Sequence, residues 1–226
     1  QYNGSGPFTT TLSLAKTIVK QLVNDLGVDT PTFKEFKKGE RIDILKSGLN
    51  FPFVIKPSRC GSSHGISLVK SQSEMAQALT KAFKDDSRVL IEEFIKGTEV
   101  TIVCLGKKIL GVVEIEKGLE SIYSYDTKMF GEIHCCEPAR ISKLAFNSID
   151  NLVETVISVM DIRNLFRIDA IVKGDKVYFL EINTLPFMAE GGEPFEAVKN
   201  KGWSMYEFIK EVIIDAMQYK NERVLG

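Results

Sequence analysis

The stretch from Phe166 to Leu185, Phe-Arg-Ile-Asp-Ala-Ile-Val-Lys-Gly-Asp-Lys-Val-Tyr-Phe-Leu-Glu-Ile-Asn-Thr-Leu, constrains this chain more than any other. Two apolar, β-prone runs flank Lys173-Gly174-Asp175-Lys176, which predicts a β-hairpin. The strands read as core, yet Arg167 and Asp169 interrupt the first, and Glu181 and Asn183 interrupt the second. Ionisable side chains in such a place are costly unless something pairs them. Strand alternation puts Arg167 with Asp169 on one face, and likewise Glu181 with Asn183. Register decides whether those faces coincide. A three-residue loop, or a bulge at Gly174, brings all four to one side, whereas a plain two-residue turn separates them. If they converge, two carboxylates and an amide oxygen form a hard-oxygen cluster suited to Mg²⁺, which fills its other positions with water and phosphate oxygens. Arg167 would be the nearby cation. The alternative is an Arg167–Asp169 surface ion pair with Glu181 solvated on an edge strand.

At 226 residues, 44% hydrophobic and with a formal net charge of −1, the chain can bury a core and divide into one or two domains. The charge balance, without a Lys/Arg block, argues against a nucleic-acid surface. No apolar run is long enough to span a bilayer, which excludes a membrane-spanning segment and makes the cytoplasm the default location. Cys60, Cys104, Cys135 and Cys136 lack paired spacing and read as free thiols in a reducing compartment. The chain opens at Gln1 in the loop-like Tyr2-Asn3-Gly4-Ser5-Gly6-Pro7, which suggests a piece cut from something longer.

Thr9-Thr10-Thr11 can cap a helix that carries Ala15, Ile18, Val19, Leu22, Val23 and Leu26 on one face and stops at Gly27. Lys16 and Lys20 lie one turn apart beside that stripe, where lysines commonly snorkel into water. Phe51-Pro-Phe-Val-Ile-Lys56-Pro reads as a short buried strand, followed by the small-residue loop Ser58-Arg-Cys-Gly61-Ser62-Ser63-His64-Gly65. Such a loop can be a flexible hairpin turn, or can bring N–H groups and hydroxyls to phosphate oxygens with Lys56 as a fixed cation. Ser71-Gln-Ser-Glu74 and Ser204-Met-Tyr-Glu207 read as capping boxes. Arg88 to Glu99 passes from a strand into a polar connection where two structural halves would meet. A nucleotide base there would bond backbone groups of Glu93, Phe94 and Ile95, with Glu99 accepting from ribose. The competing reading is a solvated acidic strand end. Residues 99–105 and 108–115 predict a second hairpin, and Ser124 to Gly131 is polar enough to be a mobile loop.

In order, then, the chain offers a lysine helix, a lysine with a Gly/Ser loop, an acidic hinge, a polar loop with a lysine, and an Arg-x-Asp…Glu-x-Asn hairpin. This resembles the ATP-grasp enzymes, and most closely the D-alanine–D-alanine ligases, over nearly the whole chain. Lys56-Pro-Ser-Arg-Cys-Gly-Ser-Ser-His-Gly is similar to the family's phosphate-binding loop, Tyr125-Asp-Thr-Lys128 to its omega loop, and Glu181-Ile-Asn-Thr-Leu-Pro186 to its metal segment. The resemblance implies an α+β, ATP-grasp fold with mainly antiparallel sheets clamping ATP: residues 1–90 as a small subdomain, 91–226 as a larger one, and a hinge near 92–97. It further implies that Lys16 and Lys56 contact the nucleotide phosphates, and that Glu92, Glu93, Phe94, Ile95 and Glu99 hold adenine and ribose. Ser62, Ser63 and Lys128 would meet the γ-phosphate. Asp169, Glu181 and Asn183 would bind two Mg²⁺, with Mn²⁺ as a substitute, and Arg167 would stabilise the tetrahedral intermediate. The implied partners are small amino-acid substrates, an amino-terminal domain of the same protein, and an identical subunit in a homodimer.

The sequence departs from the family pattern at Ala15, where an Asp is usual, and at Met129, where an aromatic follows the omega-loop lysine. It departs again at His64, and at Phe187, where the family has Gly. The Ser-Leu that holds the acceptor's carboxylate is not recognisable among Glu190, Gly191, Gly192 and Glu193. Two functions follow: a dipeptide-forming ligase with a D-alanine or an altered acceptor, and a catalytically silent nucleotide-binding module. Retention of Lys56, Lys128, Asp169, Glu181 and Asn183 together favours the enzyme.

Overall fold

The hairpin forms as β8 (Leu165–Lys173) and β9 (Lys176–Asn183), and its register explains how a two-residue turn can still bring all four polar residues together. Lys173 pairs with Lys176 across Gly174-Asp175, and this pairing continues to Ala170 opposite Phe179. There the register shifts: Asp169 faces Glu181 and Arg167 faces Asn183, with Leu180 as the extra residue. The bulge thus lies in β9, not at Gly174, whose φ of +62° serves only the tight turn. Its trace in the sequence is the change of apolar spacing from Val177 and Phe179 to Ile182, all buried against the same core.

The computed structural model describes residues 2–61, 64–116 and 134–222. Ser62, Ser63 and the loop from Ser124 to Gly131, Lys128 included, lie outside the described residues. The hairpin belongs to a five-stranded antiparallel sheet ordered β7-β6-β5-β8-β9, where β5 is Thr98–Leu105, β6 is Lys108–Glu116 and β7 is His134–Cys136. One face carries Val100, Ile102, Ile168, Ala170, Phe179 and Ile182 into a core with Val19 and Val23 of α2 (Lys16–Asp25) and with Ile149, Leu152 and Val156 of α5 (Lys143–Val159). The other face packs Val103, Val113 and Leu165 against Phe195 and Val198 of α6 (Glu193–Lys199) and Phe208 and Val212 of α7 (Met205–Glu222). Burying each such side chain contributes about 1.5–3 kcal/mol.

The second sheet is four-stranded and antiparallel, in the order β1-β4-β2-β3: Phe33–Lys37, Arg88–Glu93, Phe53–Pro57 and Ser67–Val69. Alternation sorts its central strands. Phe53, Ile55, Val89 and Ile91 enter a core with Met75, Ala78 and Ala82 of α4 (Met75–Asp85). Val54, Lys56, Leu90 and Glu92 occupy the opposite face, and all are buried. A short α3 (Ile44–Ser47) precedes β2.

The boundary expected between residues 90 and 91 lies inside β4, which runs to Glu93, and the connection between the two sheets is the stretch from Glu93 to Thr98, where β5 begins. The buried valines of α2 nevertheless pack with the five-stranded sheet. The stretch expected only to cap α2 is itself helical, α1 (Pro7–Leu14), with Pro7 in its first turn, where a missing N–H costs nothing. Thr9 donates to the Asp161 carbonyl at 3.1 Å, which fastens α1 to the loop before β8. Of the two capping boxes, Ser204–Glu207 closes reciprocally, with Ser204 N–H on Glu207 Oε2 at 2.7 Å and Glu207 N–H on Ser204 Oγ at 3.3 Å. At Ser71 a 3₁₀ turn intervenes, and Glu74 accepts from the Lys70 N–H instead.

Gly97, in the connection between the sheets, lies against β8. A Cβ there would sit 2.3 Å from the Val172 carbonyl oxygen and 2.7 Å from Ile171 Cγ2. Backbone cannot yield as a side-chain tip can, so Gly97→Ala is expected to destabilise the chain by about 1–3 kcal/mol in urea unfolding. An unchanged midpoint would contradict this close approach.

Candidate active site

The face of the five-stranded sheet that carries α6 also carries the polar quartet. Thr101 of β5 faces Asp169 and donates to its Oδ1 at 2.9 Å, so the neighbouring strand holds that carboxylate. Arg167 places one guanidinium nitrogen 3.5 Å from Asp169 Oδ2 and the other 2.6 Å from Glu193 Oε1. Burial works against its charge, but Asp169 and Glu193 more than compensate and hold the guanidinium above its ordinary pKa. Its Nε is buried without a hydrogen-bond partner among the described residues.

Lys16, the first residue of α2, lies 3.2 Å from Glu181 Oε2 and donates to the Cys60 carbonyl, linking the hairpin to the Gly/Ser loop. These residues enclose a cavity of about 690 Å³, lined among others by Lys16, Arg167, Glu181, Asn183, Glu190 and Glu193. Gly61 reaches it from the loop of the other sheet. Cys135 also lines it, and burial followed by the nearby Glu193 and Glu196 pushes its thiol up to about 11, so it stays protonated at neutral pH. All four cysteines are free thiols, as their spacing suggested.

A second buried cluster lies between the sheets. Lys56 pairs with Glu92 Oε1, while Lys20 approaches Glu92 Oε2 at 3.0 Å. Burial alone would raise Glu92's pKa, but the two ammonium groups hold it below the usual carboxylate range. Burial likewise opposes the charge of Lys56, and Glu92 and Glu181 outweigh it, raising that pKa. For Lys20 burial wins, and its pKa falls to about 8.

The structure thus sorts the expected site residues into three places. Lys16, Arg167, Glu181 and Asn183 line the cavity, with Asp169 beside Arg167. The Glu92 carboxylate is turned inward to two lysines. Glu93, Phe94, Ile95 and Glu99 sit at the junction of the sheets, where the Glu93 N–H already donates to Thr32 O at 2.8 Å and the Phe94 N–H to Pro52 O at 3.3 Å. Lys20, Thr101 and the Arg167–Glu193 contact were not apparent from the sequence. The only signal for Lys20 is its place one turn after Lys16, between Val19 and Val23.

Among the described residues no group of three or more His, Cys, Asp or Glu is placed to hold a metal ion. The donor set is instead two carboxylates, directly opposite at Asp169 and Glu181, with the Asn183 amide one position beyond. That matches a cation which takes few protein ligands and completes its shell with water and phosphate. Asp169 and Glu181 each meet a protein cation here, Arg167 and Lys16 respectively, and Asn183 Oδ1 accepts from the Leu185 N–H at 3.0 Å. An incoming divalent ion would therefore share these oxygens with groups already in place.

Comparison with known proteins agrees with this geometry. The family described as D-ala D-ala ligase C-terminus matches residues 22–214. A D-alanine–D-alanine ligase of Geobacter sulfurreducens is 32% identical over 219 residues, covering 95% of this chain and 69% of that protein. Among solved structures, the Bacillus anthracis D-alanine–D-alanine ligase complexed with ATP superposes with a TM-score of 0.81 at 23% identity, over 98% of this chain and 70% of that one. The VanG D-Ala:D-Ser ligase of Enterococcus faecalis does so with a TM-score of 0.79 at 26% identity, over 93% of this chain and 63% of that one. Two facing antiparallel sheets of this kind are the ATP-grasp fold of a class of ligases. Within that class, the chain belongs to the D-alanine–D-alanine ligase family.

Glu181→Gln removes one of the two facing carboxylates while keeping side-chain size. Calorimetric titration is expected to show Mg-ATP affinity reduced about tenfold or more, since each decade is only about 1.4 kcal/mol and a charged ligand is lost. Equal affinity in variant and parent would refute the metal assignment.

Proposed function

We propose that this chain performs the ATP-dependent joining of two small amino acids, with nucleotide and Mg²⁺ held between the sheets. The observation that carries the proposal is the convergence of Lys16, Arg167, Glu181 and Asn183 on one cavity, with Asp169 behind them. The names of the relatives point to D-alanine as the first amino acid, and to D-alanine or D-serine as the second. We also place the protein in the cytoplasm. Among the described residues no helix is long and apolar enough to cross a membrane.

In the proposed reaction, a carboxylate oxygen of the first amino acid takes the γ-phosphoryl group of ATP, and ADP leaves. The amine of the second then attacks the acyl carbon and loses a proton, and inorganic phosphate departs as the peptide bond forms. Such transfers ask the protein chiefly for positioning and for cations facing the developing charge. Asp169, Glu181 and Asn183 would hold Mg²⁺, which when bound screens the phosphate charge. Lys16, already beside the Cys60 carbonyl, would exchange its contact with Glu181 for a phosphate oxygen. Arg167, fixed on β8, would face the oxyanion of the tetrahedral intermediate. Ser62, Ser63 and Lys128 would meet the γ-phosphate, and residues Glu93 to Ile95 with Glu99 would hold the nucleoside.

The acceptor side is where this chain differs. Glu193 occupies one arm of Arg167, and Glu190 lines the same cavity, so an acceptor carboxylate entering there meets acids and a cation that is already paired. A larger or cationic amine would suit these acids better than D-alanine.

The test is ADP release with Mg²⁺ across D-alanine, D-serine and diamino acids, followed by mass analysis of the product. ATP-dependent dipeptide formation is expected, with D-alanine a poor acceptor. Nucleotide binding without turnover on any amino acid would favour the silent module. Full activity with D-alanine alone would overturn the altered acceptor.

A further inference from the structure

Lys20 is fully buried, and its surroundings come from four parts of the chain. Its Nζ lies 3.0 Å from Glu92 Oε2 on β4 and donates to Thr30 Oγ1 at 2.8 Å and to the Phe179 carbonyl of β9 at 3.3 Å. The Phe33 ring lies 5.6 Å from it. Lys56 of β2 holds the other Glu92 oxygen. Side-chain exposures are 0%, 5% and 6% for Lys20, Glu92 and Lys56. Two buried ammonium groups therefore share one buried carboxylate. A salt-bridge pair needs only one of them, and an uncompensated buried charge is expensive. Surplus positive charge in such a place is a standing demand for an anion.

We propose that Lys20 is a positioning residue for nucleotide binding: by occupying one oxygen of Glu92, it leaves Lys56 with unspent charge for a phosphate group. This rests on the proposed nucleotide site and goes beyond it, because Lys20 does not line the cavity. Without Lys20, Lys56 and Glu92 form a closed neutral pair, and a phosphate must compete with a carboxylate already in contact. With Lys20 present, Lys56 turns to the phosphate while Glu92 keeps a partner. Glu181 of the facing sheet acts on both lysines, and Glu99 acts on Lys56 as well. Burial leaves Lys20 with a pKa of about 8, so it is mostly charged at neutral pH.

The test compares Mg-ADP and adenosine binding by calorimetry at pH 7 in the parent chain, Lys20→Met, and the double variant Lys20→Met with Glu92→Gln. Lys20→Met is expected to weaken Mg-ADP at least about tenfold, the scale of one unit charge acting a few ångströms away in a partly screened medium. Adenosine, which lacks phosphate, should bind within about twofold of the parent if only the phosphate contact is affected. The double variant frees Lys56 again and should recover most of the Mg-ADP affinity. Plain structural damage would not be repaired by deleting a further buried charge. Unaltered Mg-ADP binding in Lys20→Met, equal losses for ADP and adenosine, or no recovery in the double variant would each overturn the proposal. Should Lys20→Met fail to fold, the double variant decides alone: folded and binding Mg-ADP supports it, folded and not binding overturns it. A parent that binds no Mg-ADP would remove the nucleotide site itself, a failure distinct from any of these.

Discussion

The site depends on a single extra residue in β9. From the turn at Gly174-Asp175 the hairpin starts in a register that would send Glu181 and Asn183 to the face opposite Arg167 and Asp169. Leu180 corrects the parity, so Val177 and Phe179 enter the helical core before it and Ile182 enters after it. Bulges interrupt the ladder and leave backbone groups to be satisfied elsewhere. Here α2 and the segment after it supply the partners: the Phe179 N–H donates to Asp29 O at 2.9 Å, and its carbonyl accepts from Thr30 Oγ1 at 2.9 Å and from Lys20 of α2. The residues that complete the bulge thus lead directly into β1, and Lys20 continues to Glu92. Placing the carboxylates and joining the two sheets are one structural arrangement.

Charge pairing separates the working residues from ordinary surface ion pairs. Arg140 contacts Glu114 and Glu116 and favours the ionised form of Glu114, yet it is largely exposed and water screens such pairs. Lys16, Lys56, Arg167, Asp169 and Glu92 are buried or nearly so, and their pairs can be exchanged but not simply broken. Each acid expected to face metal or phosphate chemistry already has a protein cation against it. A nucleotide and its metal would rearrange existing pairs rather than enter a bare pocket.

Much of this was legible in the sequence. The hairpin and the free thiols follow from turn chemistry and cysteine spacing, and the motif order pointed to the ATP-grasp fold; of the expected α2 stripe Val19 and Val23 are buried, whereas Ile18 and Leu26 are exposed. What was not legible is tertiary. The bulge could be expected at the glycine, because φ > 0 is a local signal, whereas Leu180 is marked only by a change in spacing that requires knowing which face is core. Lys20 read as a snorkelling lysine because helical periodicity places it beside the stripe but cannot say that a second sheet covers it. Glu193 read as an acid near the acceptor, and only the packing of α6 brings it to Arg167. Likewise α1 was hidden because three threonines suggest a cap, and their bonds to the distant Asp161 and the local Ser5 and Pro7 carbonyls appear only in the folded chain.

The central claim is that the shifted register makes Asp169, Glu181 and Asn183 one metal–nucleotide site. The most direct measurement is a crystal structure of the chain with Mn²⁺ and a non-hydrolysable ATP analogue, using anomalous scattering to locate the metal. The account requires manganese peaks bound between Asp169, Glu181 and Asn183 and the analogue's phosphates. Nucleotide bound with its metal away from these side chains, or a hairpin in which they lie on opposite faces, would contradict it.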